Sequence, residues 1–128
     1  MISILLVSSD NCFFSDLSET AKNLGHIHIS RADSGEKALL MISGYPYELV
    51  AVDERLSDMT GLAFVGKVVL TNPMTNCAVV SRLSEGAFHE ASEGLGIMMQ
   101  LPPDPKDIQA KELLNHLDNI LNLSPKID

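Results

Sequence analysis

Short β-rich apolar runs alternate strictly with longer stretches of helical spacing along this chain, and that alternation limits the fold more than any other feature. The first run, residues 2–8, is apolar almost throughout, as a strand buried on both faces must be. Ser8-Ser9-Asp10-Asn11 follows, rich in helix-capping side chains. Phe14, Leu17, Ala21 and Leu24 then recur on one helix face, and Gly25 stands as the C′ residue that stops it. His26 to Ser30 alternates, with Ile27 and Ile29 on one side and His26 and His28 on the other, which predicts an edge strand. Asp33-Ser34-Gly35-Glu36 opens a second helix through Ala38, Leu39 and Ile42 to Gly44. Glu48 to Asp53 is a third strand with Leu49-Val50-Ala51-Val52 as its core, ending on an acid. Leu62 to Thr71 is a third helix. Asn76 to Ser81 is a fourth strand, and Ser84 to Ser92 is a weaker helix in which Phe88 is the main apolar residue. Gly96 to Leu101 is a fifth strand. Pro102-Pro103-Asp104-Pro105 starts a last helix with Ile108, Leu113, Leu117, Ile120 and Leu121, ending near Leu123.

Five strands and five helices in alternation predict βαβ units. Right-handed crossovers then give a parallel sheet with helices on both faces. A chain of 128 residues fits one domain, placed at 1–123 with 124–128 as a C-terminal tail. With 45% hydrophobic residues it can bury a sizeable core.

The formal net charge is −8, and the nine basic residues form no run. Phosphate contacts by Lys and Arg dominate nucleic-acid affinity, so no nucleic-acid binding is expected of this domain. No apolar run approaches the 18 or so residues of a membrane span, and the start of the chain lacks a basic n-region and a cleavage site. No membrane association is expected. Cys12 and Cys77 sit in no CxxC or Cys/His cluster, a pattern that suits a reducing cytoplasm. His26, His28, His89 and His116 are expected at the surface.

In open α/β sheets, ligands bind at the carboxyl ends of the strands. That directs attention to Ser8-Ser9-Asp10, Asp53, Ser81 and Leu101. Tyr47-Glu48-Leu49-Val50-Ala51-Val52-Asp53 and Leu56-Ser57-Asp58-Met59-Thr60-Gly61-Leu62 resemble the phosphoacceptor strand and following loop of response-regulator receiver domains. Asp33-Ser34-Gly35-Glu36-Lys37-Ala38-Leu39 is similar to that family's second-helix entry, and Pro102-Pro103-Asp104-Pro105 to its Lys-Pro turn. The resemblance spans essentially the whole chain. It implies an α/β, flavodoxin-like three-layer sandwich: a doubly wound, five-stranded parallel sheet of order 2-1-3-4-5 flanked by five helices.

The resemblance also assigns roles. Asp53 stands at the phosphoacceptor, a carboxylate that attacks phosphorus in line. Ser81 stands at the switch hydroxyl, and the Arg55 carbonyl at a backbone metal ligand. Four positions depart from the family. Ser8 and Ser9 replace the two acids that anchor Mg²⁺, which needs hard oxygen ligands. Leu101 replaces the lysine that neutralises the phosphoryl group, and Met98 the rotating aromatic of strand five. Asp10 is left as either a substitute ligand for weak Mg²⁺, with Asp53, or a cap of the first helix, with capping preferred. Arg82, where a small residue is usual, either crowds the site or offers a cation. The Leu101-Pro102 peptide is expected cis by the same resemblance.

These residues imply a cytoplasmic bacterial two-component (phosphorelay) module that is not an enzyme. The favoured reading is a pseudo-receiver acting through protein–protein contacts. The alternative is a working receiver phosphorylated at Asp53 by a histidine kinase. A small enzyme on the same scaffold ranks last, because no G-x-G-x-x-G, Walker or G-x-S-x-G motif is present. Expected partners are a histidine kinase or another signalling protein, and a homodimer through the helix 4, strand 5 and helix 5 face.

Overall fold

A computed structural model describes residues 2–10 and 12–122. In chain order it contains β1 (Ile2–Val7), α1 (Ser15–Leu24), β2 (Ile27–Ala32), α2 (Gly35–Gly44), β3 (Leu49–Val52), α3 (Gly61–Thr71), β4 (Asn76–Val80), α4 (Glu85–Ala91), β5 (Met99–Leu101) and α5 (Asp107–Asn122). All neighbouring strands pair in parallel, in the order β2-β1-β3-β4-β5. This is the expected doubly wound, flavodoxin-like sandwich.

Side chains alternate between the two faces of a strand, and both faces here are covered. Leu5, Val7, Val50, Val52 and Val79 pack with Ala38, Phe64, Val65 and Val68 beneath α2 and α3. Ile4, Leu6, Leu49, Ala51, Val80 and Leu101 pack with Leu17, Leu113 and Leu117 beneath α1 and α5. All four residues of β3 are fully buried. The first and third apolar runs are therefore continuous because each strand faces two helical layers.

The helices begin where short polar side chains replace missing backbone partners. Ser34, Thr60 and Ser84 accept from the backbone N–H of Lys37, Ala63 and Ala87. Gly25 ends α1 in the left-handed region at φ 76°, as its position predicted. Asp10 does not cap α1, whose first residue follows Phe14 with no side-chain cap. Its Oδ1 instead accepts from Cys12 N at 2.9 Å, and its carbonyl from Phe13 N at 3.1 Å. It closes the turn ahead of the helix.

Several sequence expectations need correction. The fifth strand shrinks to Met99–Leu101, and Gly96, its expected first residue, takes a φ of 63°, outside the β region. Ile108 is 63% exposed. At 3.6 residues per turn it lies about 140° round the helix from Leu113, off the buried stripe. Leu24 is 48% exposed; it lies in the last turn of α1 and lines a groove instead of the core. The Leu101-Pro102 peptide is not cis, and no cis bond occurs among the described residues. Trans is the ordinary state of an X-Pro bond by about 0.5–1 kcal/mol, and the burial of Leu101 leaves no lysine head group to be aimed at the site. The expected tail 124–128, and the helix end near Leu123, lie outside the described residues. Among those residues, no helix is long and apolar enough to cross a membrane.

Cys77 is buried, and burial pushes its thiol up to about 12 from an ordinary 9.0. The thiolate is the reactive form. The folded protein is therefore expected to take one equivalent of a maleimide, on exposed Cys12, and a second only after unfolding. The linkage has a sign: the unfolded thiol ionises first, so stability is full below about pH 9 and falls as pH rises from there toward 12. Counting labelled thiols by mass, with and without urea, checks the first point.

Candidate functional site

The pole at the carboxyl ends of the strands gathers most of the residues singled out above. β3 delivers Asp53, whose backbone N–H donates to the Val7 carbonyl at 2.9 Å. That bond ties the acid to the end of the central strand, and its side chain is half-buried. Ser8, buried at the end of β1, donates its hydroxyl to Asp53 Oδ2 at 3.0 Å. The backbone N–H of Glu54 donates to Oδ1 at 2.7 Å. Each carboxylate oxygen is thus held by an uncharged donor.

Asp53 borders a cavity of about 470 Å³ whose lining includes Glu54, Arg55, Thr60, Ser81 and Arg82. Ser81 is buried, and its hydroxyl oxygen accepts from Leu83 N at 3.1 Å. Gln100 binds the loop from the other side, donating its side-chain amide to the Leu83 carbonyl at 2.8 Å and the Ser81 carbonyl at 3.4 Å. Arg55 reaches the cavity from the loop after β3, where its backbone bridges Thr60.

Sequence reasoning missed the role of Glu54. Its Oε2 accepts from Arg82 N at 2.9 Å, and its Oε1 lies 3.3 Å from Arg82 Nε. Arg82 therefore lines the cavity beside Asp53 without standing free as a cation. It is clamped to the residue following the acid. The two residues are 28 apart in sequence, and no periodic pattern marks such a pair. The Arg82 side chain is 80% exposed and that of Glu54 29%, so the ion pair itself adds little stability. The bond to the backbone N–H fixes the loop. Asp58 was missed in the same way. Its two oxygens accept from Gly35 N and Glu36 N, each at 2.9 Å, joining the loop after β3 to the start of α2. Those bonds, the one from Glu36 first, hold its carboxyl below the ordinary range. Its contribution is full above that range and is lost as pH falls through the lowered value.

The remaining expected residues lie apart from the cavity. Ser9 is exposed. Asp10 is exposed, turns to Cys12, and borders a separate cavity of about 170 Å³ with Ser8, Phe14 and Lys37. Leu101 is 1% exposed and belongs to the core beneath α1 and α5. Met98 and Met99 are partly buried against that core and line a surface hollow with Glu112, His116 and Ile120 of α5. The four histidines are all exposed.

Mg²⁺ takes one or two carboxylates, keeps several waters and demands near-octahedral geometry. Among Asp10, Asp53 and Glu54 at this pole, Asp53 is the carboxylate not already engaged elsewhere, since Glu54 is spent on Arg82 and Asp10 on its own turn. Among the described residues no group of three or more His, Cys, Asp or Glu is arranged to hold a metal. The donor set does not fit a tight Mg²⁺ site.

No family model matches the sequence, and no curated protein matches it. Solved structures do. The chemotaxis response regulator CheY4 of Vibrio cholerae superposes with a TM-score of 0.81 at 18% identity, over 91% of this chain and 98% of that one. A two-component response regulator from Clostridium difficile gives 0.82 at 18% identity, over 95% and 99%. An uncharacterized protein from Neptuniibacter caesariensis gives 0.82 at 21% identity, over 99% and 96%. At such identities the likeness carries architecture, and five strands in the same order with five flanking helices complete it: the chain has the fold of response-regulator receiver domains.

Proposed function

We propose that this chain is a receiver-type module of bacterial two-component signalling that acts through protein contacts, a pseudo-receiver that does not run the phosphoryl cycle. One observation carries the reading. The carboxylate of Asp53 is held by a serine hydroxyl at 3.0 Å and a backbone N–H at 2.7 Å, where a working site needs a second acid and a metal. The burial of Leu101 supports it, because a leucine in the core cannot neutralise a phosphoryl oxygen. A charge-assisted contact of that kind is worth roughly 1.5–3 kcal/mol. The clamp of Arg82 on Glu54 supports it too, since one of the two arginines lining the cavity is already paired. Mg²⁺ binding in this reading is weak. A histidine kinase or another signalling protein is the expected partner, with a second copy of the chain on the α4-β5-α5 face as a further one. The domain itself contacts neither nucleic acid nor membrane.

A second reading, a working receiver phosphorylated at Asp53, has one observation in its favour. The half-buried acid sits at a strand end beside an open cavity that Ser81 also lines. Intact mass after incubation with a small phosphodonor and Mg²⁺, beside Asp53→Asn, separates the two. The expected result is no adduct on either protein while circular dichroism shows both folded. An adduct on the native chain alone would establish the working receiver.

A further inference from the structure

The cavity of about 470 Å³ beside Asp53 falls within the roughly 300–1,000 Å³ of small-molecule pockets. Its charges are not all balanced. Glu54 and Arg82 satisfy each other. Asp53 and Arg55 each stand without an ion-pair partner among the described residues. One uncompensated carboxylate and one uncompensated guanidinium therefore border the same space.

Unspent hydrogen-bonding capacity divides in the same way. An ionised carboxylate offers about four acceptor sites. Asp53 uses two of them, on the Ser8 hydroxyl and the Glu54 N–H, and keeps the rest for a further donor. The buried Ser81 hydroxyl accepts from Leu83 N, but its proton meets no acceptor among the described residues. The Thr60 hydroxyl accepts from Ala63 N and likewise keeps its proton to give. Thr60 and Arg55 stand opposite each other in an antiparallel bridge, so their side chains leave the backbone on the same side. The cavity thus offers an anion the donors of Arg55, Thr60 and Ser81, and a cation the free acceptor sites of Asp53. Leu62 and Leu83 add an apolar wall, Leu83 being 43% exposed. A simple anion placed here meets the charge of Asp53, and a bare cation meets that of Arg55. A molecule carrying both signs escapes both penalties.

We propose that this cavity binds a free α-amino acid with an apolar side chain. Its ammonium group donates to Asp53, its carboxylate accepts from Arg55 and from the Ser81 or Thr60 hydroxyl, and its side chain lies against Leu62 and Leu83. Charge-assisted bonds of this kind are the strong class of hydrogen bond. The inference deepens the pseudo-receiver reading by giving the Asp53 pocket a ligand. It rests on that reading, because a carboxylate that carries neither Mg²⁺ nor a phosphoryl group is open to an organic cation.

The test titrates four probes into the native chain by calorimetry, in buffer free of Mg²⁺ and phosphodonor. They are L-leucine, L-leucine amide (no carboxylate), N-acetyl-L-leucine (no ammonium) and inorganic phosphate. The expected result is a dissociation constant on the order of 100 μM for L-leucine. The other three should bind at least tenfold more weakly, the scale of one charge-assisted contact. Arg55→Gln, a change at an exposed side chain, should weaken leucine at least tenfold yet leave the amide within twofold. Asp53→Asn should weaken leucine at least tenfold without weakening N-acetyl-leucine. Amide shifts of the ¹⁵N-labelled chain should centre on residues 53–60 and 81–83. Absence of leucine binding at about 10 mM would overturn the proposal. So would equal binding of any of the other three probes, or shifts centred on another face. The probe comparison uses the native chain, so a variant that fails to fold does not blunt it. A phosphoryl adduct in the mass experiment would sink the pseudo-receiver reading whatever leucine does, and absence of leucine binding alone would sink only the ligand.

Discussion

Replacing Ser8 and Ser9 together by aspartate is expected to raise Mg²⁺ affinity at the Asp53 pocket about a hundredfold or more, measured by isothermal titration calorimetry. A hundredfold is about 2.7 kcal/mol. Two unit charges 4 Å apart interact by about 4 kcal/mol at an effective dielectric of 20, and a divalent ion doubles this for each new carboxylate. The gain required is therefore a fraction of what the charges supply. Position 8 is favourably placed, since the present hydroxyl already lies 3.0 Å from Asp53 Oδ2. The same double variant should lose stability without metal. Carboxylates that close disfavour each other's ionisation, so one pKa rises. A raised folded-state value means that stability holds below the ordinary carboxylate range and is lost as pH rises through the raised value. Saturating Mg²⁺ should restore it. If affinity does not change, the pocket is separated from metal binding by geometry and not by the two missing acids.

Gly61→Ala is expected to destabilise the protein by about 2–3 kcal/mol, the usual range for overpacking where the surroundings cannot yield. A Cβ at position 61 would drive into the backbone carbonyl oxygen of Asp53. That carbonyl is anchored from both sides, by the bond of Asp53 N to Val7 and of Gly61 N to the Glu54 carbonyl. The contrast is Gly35→Ala. There the new Cβ meets only the side chain of Met59, with Sδ at 2.6 Å, and methionine adapts by rotating. Alanine is also the better helix former at the start of α2. The second variant should stay within about 1 kcal/mol of the native protein. Urea midpoints at unchanged slope measure both. Similar losses in the two variants would show that the loop after β3 is softer than its hydrogen bonds indicate.

The sequence made the scaffold legible wherever one residue's neighbours in the chain decide its state. Leu49-Val50-Ala51-Val52 announces a doubly covered strand, Gly25 a left-handed helix end, and Asp53 an acid at a strand terminus. Local patterns failed where the deciding partner is remote or one turn out of phase. Ile108 is as apolar as Leu113 yet sits on the wet side of α5. Asp58 is spent on the start of α2, and Glu54 and Arg82 meet only because two loops converge above β3 and β4. Of the residues to which the resemblance to receivers pointed, Asp53 and Ser81 border one cavity, Ser8 bonds to Asp53, and Ser9 and Leu101 lie apart from it. The resemblance misjudged the Leu101-Pro102 peptide and gave no hint of the clamp on Arg82.

Because every strand runs in parallel, β1 starts at the pole opposite Asp53. α5 begins after β5 on the Asp53 side and runs back along the sheet toward that same far pole. Ile2 and the end of α5 at Asn122 therefore both lie at the pole away from Asp53. A tether, an affinity tag or a neighbouring domain attached there leaves the Asp53 cavity facing outward. The described fold can be fixed to a surface from that far pole with the Asp53 cavity turned to the solution.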